Sequence, residues 1–258
     1  MRIAVAGGTG TTGRRVVDHV RAAGHEAVVL SRSAGIDLTV PSAVIDDALG
    51  GVATVLDDAL GGVAAVIDAS NVTTLSRSTS ERFFGAVTRT LLGAEARLGV
   101  GHHVALSIVG SDRVDSGYYA GKRLQEKLIR ESDVPWTVVR ATQFHEFTDQ
   151  TLTMTRGPIA VVPVMRSRPV AVDEVAAFLV EVATAAPRRA VVEIAGPAPE
   201  SQVELARRVL RARGSRRLVL PLRVPGAAGR GMASGALLPT GEFRRGEQDF
   251  ASWLADRS

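Results

Sequence analysis

The residues best suited to proton transfer are Tyr118 and Lys122, which are one turn apart on a predicted helix. Residues at positions i and i+4 share one face of an α-helix, so the phenol and the ammonium can reach one ligand. A nearby ammonium stabilises the phenolate and lowers the pKa of the phenol from about 10 towards a range useful for catalysis. The alternative is a surface helix on which the two side chains only touch. Because the chain has only one other lysine, Lys127, we predict a catalytic pair.

Ser107 ends a predicted strand upstream of this helix, where its hydroxyl can hold a substrate oxygen beside the phenol. Tyr119 is three residues from Lys122 and is the less favoured proton donor.

A glycine-rich segment near the start of the chain supplies the second chemical feature. It follows a predicted strand and begins a predicted helix, and its residues are Gly7, Gly8, Thr9, Gly10, Thr11, Thr12 and Gly13. In such a turn Gly7 permits the tight bend, Gly10 lets the backbone approach a pyrophosphate, and Gly13 lets the helix pack closely on the strand. The N–H groups of the helix N-terminus then face the phosphates. A turn without a ligand is the alternative, but the flanking strand and helix favour a dinucleotide site.

The end of the second predicted strand indicates which dinucleotide is bound. An NAD site needs a carboxylate there for the ribose hydroxyls, but this chain has Ser31, Arg32 and Ser33. A guanidinium between two hydroxyls suits a 2′-phosphate, because it offers charge and several donors in a planar fork. We therefore predict NADP(H). Asp37 and Leu38 follow and are placed to meet the adenine edge, although Asp37 is equally suited to capping a turn.

Short apolar runs alternate with helical stretches as far as about Gly196, a pattern typical of β-α-β units. The predicted strands are Arg2–Ala6, Ala27–Ser31, Ile36–Leu38, Val63–Asp68, His103–Ser107, Trp136–Arg140 and Ala190–Ala195. The predicted helices are Thr11–Ala23, Thr79–Leu98, Tyr118–Glu131, Asp173–Ala185, Glu200–Arg213 and Glu242–Ala255. Right-handed crossovers between these strands predict an α/β fold with a Rossmann-like, doubly wound parallel sheet.

The chain divides into a predicted dinucleotide-binding core, residues 1–140, and a mixed segment, residues 141–258. The second segment is rich in proline and is predicted to complete the sheet and form a small C-terminal substrate-binding cap. Within it, Gly226–Gly235 is predicted to be a mobile loop. Asp46–Leu56 and Asp57–Ile67 are nearly the same eleven residues in tandem. We take the second copy to lead into a strand and the first to be a helix extension or a surface loop.

The sequence resembles an atypical short-chain dehydrogenase/reductase of the NmrA-like, NAD(P)H-binding branch. The matching stretches are Ala6–Gly13, Asp68–Asn71, Ser107–Gly110, Tyr118–Glu126 and Arg140–His145. The resemblance implies that Tyr118 is the general acid, that Lys122 binds the nicotinamide ribose, and that Ser107 orients the carbonyl. It implies further cofactor-binding residues, Ala69, Ser70 and Asn71, and a substrate pocket that includes Gln143, Phe144 and His145. For His145 the favoured alternative is a structural histidine that only hydrogen-bonds within a loop, because single histidines are often structural.

Composition excludes several other classes of protein. The 258 residues include no cysteine, which rules out disulfides, thiolate nucleophiles and cysteine-ligated metals. The pair His102 and His103 has no nearby ligand partner in the sequence, so we predict no metal site. The net charge of +4 is spread along the chain, which argues against a nucleic-acid partner. The apolar run Ile3–Ala6 is too short for a signal peptide, and Val170–Ala186 contains three acidic residues, so we expect a cytoplasmic protein with no membrane partner.

Together these features predict an NADPH-dependent oxidoreductase that reduces a carbonyl or quinone-like small molecule, acting as a monomer or homodimer. Two alternatives remain at this point. One is a non-catalytic NADP-binding sensor that controls a partner protein, and the other is an epimerase or dehydratase that retains its cofactor. The fold is shared by all three, so only the site can separate them.

Overall fold

The computed structural model describes residues 1–40 and 52–257. The first copy of the tandem repeat therefore lies largely outside the described residues. No helix in this described part is long and apolar enough to cross a membrane.

Strands and helices alternate along the chain. The strands are β1 Arg2–Ala6, β2 Glu26–Leu30, β3 Ala65–Asp68, β4 His102–Ile108, β5 Trp136–Ala141, β6 Ile159–Pro163, β7 Arg166–Ser167, β8 Val191–Ala195, β9 Glu200–Ser201, β10 Leu218–Leu222 and β11 Arg244–Arg245. The helices are α1 Thr11–Ala22, α2 Val52–Leu60, α3 Arg77–Leu98, α4 Gly117–Arg130, α5 Phe147–Thr153, α6 Val172–Thr184, α7 Gln202–Ala212, α8 Gly226–Ser234 and α9 Phe250–Ala255.

Among the described residues, seven strands form the main sheet, in the order β11, β8, β5, β4, β3, β1 and β2. Strand β1 pairs in parallel with β2 on one side and with β3 on the other. The chain thus passes from β1 to β2 on one side of β1, and it later returns to the opposite side of β1 to form β3. Ligands of doubly wound sheets bind at the carboxyl ends of the strands where the order reverses in this way. The predicted α/β fold with a parallel, Rossmann-like sheet is confirmed.

The chain forms two compact units, each built from separate segments. The first comprises Met1–Ser107, Ser116–Val139 and Ala176–Val192. Its core includes apolar side chains from the strands, such as Ala4, Leu30 and Val66, and Leu91 from α3. Ala4 and Val66 are fully buried because β1 and β3 are covered on both faces, which explains the nearly continuous apolar sequences of these two strands.

Helices α3 and α4 of the first unit approach each other closely at Gly121. A Cβ atom at Gly121 would overlap the hydroxyl oxygen of Ser80 and come within 2.7 Å of the Phe84 ring. Ser80 also donates a hydrogen bond of 2.7 Å to the carbonyl oxygen of Tyr118. This close packing fixes the first two turns of α4, which carry Tyr118 and Lys122.

The second unit comprises Ile108–Asp115, Arg140–Val175 and Glu193–Ser258. Its core is formed by α5, α7, α9 and the inner face of the two-stranded parallel sheet of β6 and β10. Leu205 and Val209 of α7 pack there with Phe250 and Trp253 of α9. The division into a core of residues 1–140 and a segment of residues 141–258 stays a prediction, because each compact unit includes segments from both sides of residue 140.

Three local predictions were wrong. Residues 36–38 form no strand, because Gly35 has a φ of +78° and the Asp37 carboxylate accepts hydrogen bonds from Thr39. Residues 226–234 form a helix rather than a loop, and Gly235 ends it in the left-handed conformation. The predicted helix Glu242–Ala255 begins only at Phe250, where the Asp249 side chain accepts a hydrogen bond from the Ser252 N–H.

Candidate functional site

The glycine-rich turn joins β1 to α1 in the first unit. Gly7 has a φ of +73°, and a Cβ atom there would lie 2.9 Å from the Cα atom of Ser70. A Cβ atom at Gly13 would overlap the carbonyl oxygen of Gly7, and the Gly10 N–H donates to that same oxygen at 2.9 Å. The turn is therefore packed against its own helix and against the segment after β3, which leaves no room for side chains at Gly7 and Gly13.

The N-terminus of α1 is suited to an anion. Its N-cap residue, Gly10, provides no capping side chain, and the first turn contains no acidic residue. The partial positive charge of the helix end is therefore not neutralised by the helix's own sequence. Thr9 and Thr11 are exposed on this turn. A groove of about 360 Å³ opens beside the turn and is lined by Gly8, Thr9, Arg14, Val17, Asp18, Arg21 and Val29.

The segment after β3 lies beside the turn. The N–H of Ala69 donates to the carbonyl oxygen of Ala6, and the N–H of Ser70 donates to the Asp68 carboxylate at 2.9 Å. The hydroxyl oxygen of Ser70 is buried and has no hydrogen-bond partner within the described structure. A buried hydroxyl without a partner costs free energy, so a ligand that hydrogen-bonds to it here would remove that cost.

The residues after β2 present one exposed cation. The hydroxyls of Ser31 and Ser33 are 2.9 Å apart, and Arg32 between them is exposed. Asp37 accepts hydrogen bonds from the hydroxyl and the N–H of Thr39, and these bonds lower the pKa of its carboxyl group. Asp37 thus stabilises a turn, which was the alternative interpretation of this residue, and Leu38 is buried in the core.

Tyr118 lies beside the segment after β3. Its hydroxyl donates to the side-chain oxygen of Asn71 at 2.6 Å, and its ring packs edge-on against Phe84. Burial raises the pKa of Tyr118 above its usual value, and the neighbouring Tyr119 adds to the rise. The prediction that Lys122 lowers this pKa is not met in the structure, because the ammonium has other partners.

Lys122 is buried and its ammonium takes part in a hydrogen-bond chain. It donates to the carbonyl oxygen of Leu106 at 2.8 Å and to the side-chain oxygen of Gln125 at 2.9 Å. The amide nitrogen of Gln125 in turn donates to the Asp68 carboxylate at 2.7 Å. The ammonium also lies 4.1 Å from the centre of the Phe84 ring, a cation–π contact. Burial lowers the pKa of Lys122 to about 8, and the charge of Asp68 limits this fall.

Ser107 is buried and faces a different partner from the one predicted. Its hydroxyl donates to the Glu126 carboxylate at 2.6 Å, and the other oxygen of that carboxylate accepts from Arg130. The serine proton is therefore held by an internal ion pair. A role for Ser107 in orienting a substrate stays a prediction, and its hydrogen bond to Glu126 does not favour it.

Sequence reasoning missed the residues that hold Lys122, namely Asp68, Phe84 and Gln125. A signal for Gln125 is present in the sequence, since positions 118, 122 and 125 follow the spacing of one helical face. Asp68 and Phe84 belong to other elements, and no local spacing relates them to Lys122.

The predicted substrate-binding residues all belong to the second unit. The backbone of Gln143 accepts from the Val170 N–H, and Phe144 forms a bridge with Val170. His145 is fully buried, contacts the rings of Phe250 and Trp253, and is hydrogen-bonded to the Gln248 carbonyl at 3.2 Å. Burial lowers the pKa of His145, which keeps the imidazole neutral. This packing favours the structural alternative for His145.

The donor set of the first unit fits a nicotinamide dinucleotide. The glycines let the turn pack closely against α1 and the segment after β3, the α1 N-terminus carries an unneutralised partial positive charge, and Ser70 has a buried hydroxyl without a partner in the described structure. Arg32 adds a cation at the end of β2, where the 2′-position of the adenosine ribose lies in folds of this type. The phosphates would be held by the α1 turn and the 2′-phosphate by Arg32.

Comparison with known proteins supports a nicotinamide dinucleotide as the cofactor. Residues 7–186 match the family model described as NAD(P)H-binding. No match was found among the curated proteins. Among solved structures, the chain is similar to the NADPH-dependent quinone oxidoreductase of Escherichia coli in complex with NADPH, with 18% identity, a TM-score of 0.72 and 99% of both chains covered. It is also similar to the UDP-glucose 4-epimerase of Thermus thermophilus in complex with NAD, with 16% identity, a TM-score of 0.67, and 100% of this chain and 93% of that chain covered.

Proposed function

Since the chain belongs to the NAD(P)H-binding family, we propose that it is an NADPH-dependent oxidoreductase that reduces a carbonyl or quinone-like small molecule. Tyr118 is the proton donor of this reaction. One observation carries the proposal. The Tyr118 hydroxyl is bound by Asn71, the residue next to Ser70, and the Ser70 backbone abuts Gly7 of the glycine turn. A phenol is thus held beside the glycine turn, which in this proposal binds the dinucleotide phosphates.

Each residue has a role that follows from its partners. When bound, the dinucleotide supplies a hydride to the substrate carbon. The Tyr118 phenol is protonated at neutral pH, as an ordinary tyrosine is, so it carries the proton that the substrate oxygen needs. The Asn71 amide oxygen holds the phenol proton until the substrate oxygen accepts it. Two of the three donors of the Lys122 ammonium are used by Leu106 and Gln125, which leaves the third for the ribose hydroxyls.

We expect the reaction rate to decrease at high pH because Lys122 loses its proton. The pKa of Lys122 is about 8, so the ammonium is the main form below pH 8 and the neutral amine above it. In the proposed reaction, kcat/KM decreases about tenfold per pH unit above this value. Replacing Asp68 by Asn removes a charge that raises this pKa, so the alkaline decrease moves to lower pH. Profiles of kcat/KM against pH for the wild type and Asp68→Asn measure this change in pH.

The control for this experiment is Asp133→Asn, which changes an exposed carboxylate of the same unit. The kcat/KM of Asp133→Asn should decrease over the same pH range as that of the wild type. If Asp68→Asn leaves the decrease unmoved, or moves it to higher pH, the ammonium of Lys122 is not the group that titrates.

Arg32 determines the choice between the two dinucleotides in this proposal. A guanidinium that pairs with the 2′-phosphate stabilises NADPH but has no such partner in NADH. Arg32→Ala is expected to weaken NADPH binding by about ten- to a hundredfold while NADH affinity changes little. Fluorescence titration of both nucleotides measures this difference. Equal affinity of the wild type for NADPH and NADH would contradict the assignment.

A non-catalytic NADP sensor is the second candidate function, and two observations favour it. The Ser107 hydroxyl is committed to Glu126, and the pKa of Tyr118 is raised rather than lowered. NADPH oxidation with a panel of carbonyls and quinones separates the candidates. Turnover supports the reductase, and NADPH binding without turnover of any substrate supports the sensor. Product without net cofactor consumption would instead indicate an epimerase or dehydratase.

A further inference from the structure

The small sheet of the second unit has an apolar outer face. Strands β6 and β10 are parallel, and their register pairs Leu218 with Ile159, Leu220 with Val161, and Leu222 with Pro163. Their partners on the opposite face, Ala160 and Val162, are fully buried. Four of the six outward side chains are strongly exposed, at 70% for Leu218, 54% for Leu220, 48% for Leu222 and 44% for Ile159, whereas Val161 and Pro163 are half-buried. We call these six outward residues the β6–β10 face.

An exposed face of this kind is unusual for a two-stranded sheet. Sheets with one buried face normally alternate apolar residues inward with polar residues outward, whereas here both directions are apolar. Four half-exposed side chains of this size present on the order of 400 Å² of apolar surface, and patches of that size on a monomer often bind something. The β6–β10 face is therefore a candidate interaction surface.

The surrounding sequence is cationic and lacks acids. Residues 150–172, which include β6, and residues 205–241, which include β10, contain no aspartate or glutamate and are rich in arginine. Arg156 precedes β6, Arg216 precedes β10 and Arg223 directly follows it, and all three are exposed. Arg217 differs from them because it donates to the carbonyl oxygens of Leu152, Thr155, Gly157 and Ile159 and so ties the two strands together.

We propose that the β6–β10 face binds the surface of an anionic lipid bilayer. The leucines enter the boundary between headgroups and acyl chains, and Arg156, Arg216 and Arg223 bind the lipid phosphates. The protein would attach to the bilayer surface without crossing the bilayer. The sequence prediction of no membrane partner considered only segments long enough to cross a bilayer, and this face needs no such segment.

Other occupants fit less well. A second copy of the chain would bring two sets of arginines together, and the apolar area is below the roughly 800 Å² per partner of a stable dimer. Single-stranded nucleic acid requires aromatic side chains for base stacking, and β6 and β10 contain none. A bilayer offers an apolar interior and negative phosphates in the same surface, which matches both properties of the β6–β10 face.

The test is sedimentation of the intact protein with vesicles. Phosphatidylcholine vesicles containing one third phosphatidylglycerol should bind the wild type, and pure phosphatidylcholine vesicles should bind it much less. The double variant Leu218→Ser, Leu220→Ser should lose at least tenfold in partitioning, because exposed apolar area is removed. Each of Arg216→Gln and Arg223→Gln should lose about fivefold, and high salt should weaken wild-type binding.

Matched controls lie in the first unit. Leu98→Ser replaces a leucine that is 40% exposed at the end of α3, and Arg82→Gln replaces an exposed arginine of the same helix. Both should bind vesicles like the wild type. The proposal is overturned if the wild type does not sediment with anionic vesicles or if the controls lose binding equally. It is also overturned if the leucine variants convert a dimer to a monomer without lipid, because a second copy would then cover the face. None of these results bears on NADPH oxidation, so the proposed function is tested separately.

Discussion

Tyr118→Phe is expected to lower kcat for carbonyl or quinone reduction by about a hundredfold to ten thousandfold, the usual contribution of a general acid. The affinity for NADPH should stay close to that of the wild type, because the substitution removes one hydroxyl and the glycine turn does not depend on it. The ring contacts of Tyr118 with Phe84 and Tyr119 are retained by phenylalanine, so the fold should persist. Stopped-flow NADPH oxidation and fluorescence titration measure the two quantities.

Tyr119→Phe is the matched control for this variant. Tyr119 is on the same helix and is buried, and it lies further from the favoured i, i+4 spacing with Lys122. We expect its kcat to remain near the wild-type value. Full activity of Tyr118→Phe, or equal losses in both variants, would remove Tyr118 from the role of proton donor and would favour the sensor.

Gly13→Ala is expected to have the largest effect on cofactor binding. The added Cβ atom would overlap the carbonyl oxygen of Gly7, which is backbone and cannot move like a flexible side chain. Either α1 shifts or the turn opens, and in both cases the N–H groups that would hold the phosphates are displaced. Loss of such charge-assisted hydrogen bonds corresponds to about a hundredfold weaker NADPH binding. We also expect the free energy of unfolding to decrease by about 1–3 kcal/mol, as for other overpacked sites.

Gly93→Ala shows what the same substitution does without a steric conflict. Gly93 is an exposed position inside α3, and the nearest atom to its added Cβ would be Arg97 Nη1 at 3.9 Å. Because alanine favours the helix over glycine by about 1 kcal/mol, this variant should be slightly more stable than the wild type. Thermal unfolding and NADPH titration of both variants give the comparison. Unchanged NADPH affinity in Gly13→Ala would mean that the glycine turn is not the phosphate site.

Much of the fold could be predicted because its signals are local. Strand β1 was predicted with its observed bounds, and α1, α3, α4 and α6 within one or two residues at each end. Each of these elements has a clear apolar period or a glycine at its end. The match to the NAD(P)H-binding family confirms the predicted resemblance, which was carried mainly by the glycine turn. Elements without a clear period, such as α8 and the short strands β6 and β10, were not predicted.

The sequence by itself determined those features of the site that depend only on residues close together in the chain. The glycine spacing of the first turn and the placement of Tyr118 and Lys122 on one helical face follow from backbone geometry alone. Only the tertiary structure decided the state of those side chains. The carbonyl oxygen of Leu106 accepts directly from the Lys122 ammonium, and the Asp68 carboxylate is linked to it through Gln125. The Glu126 carboxylate accepts the hydrogen bond of Ser107. Burial and hydrogen-bond partners set a pKa, and both depend on which distant segments the fold brings together.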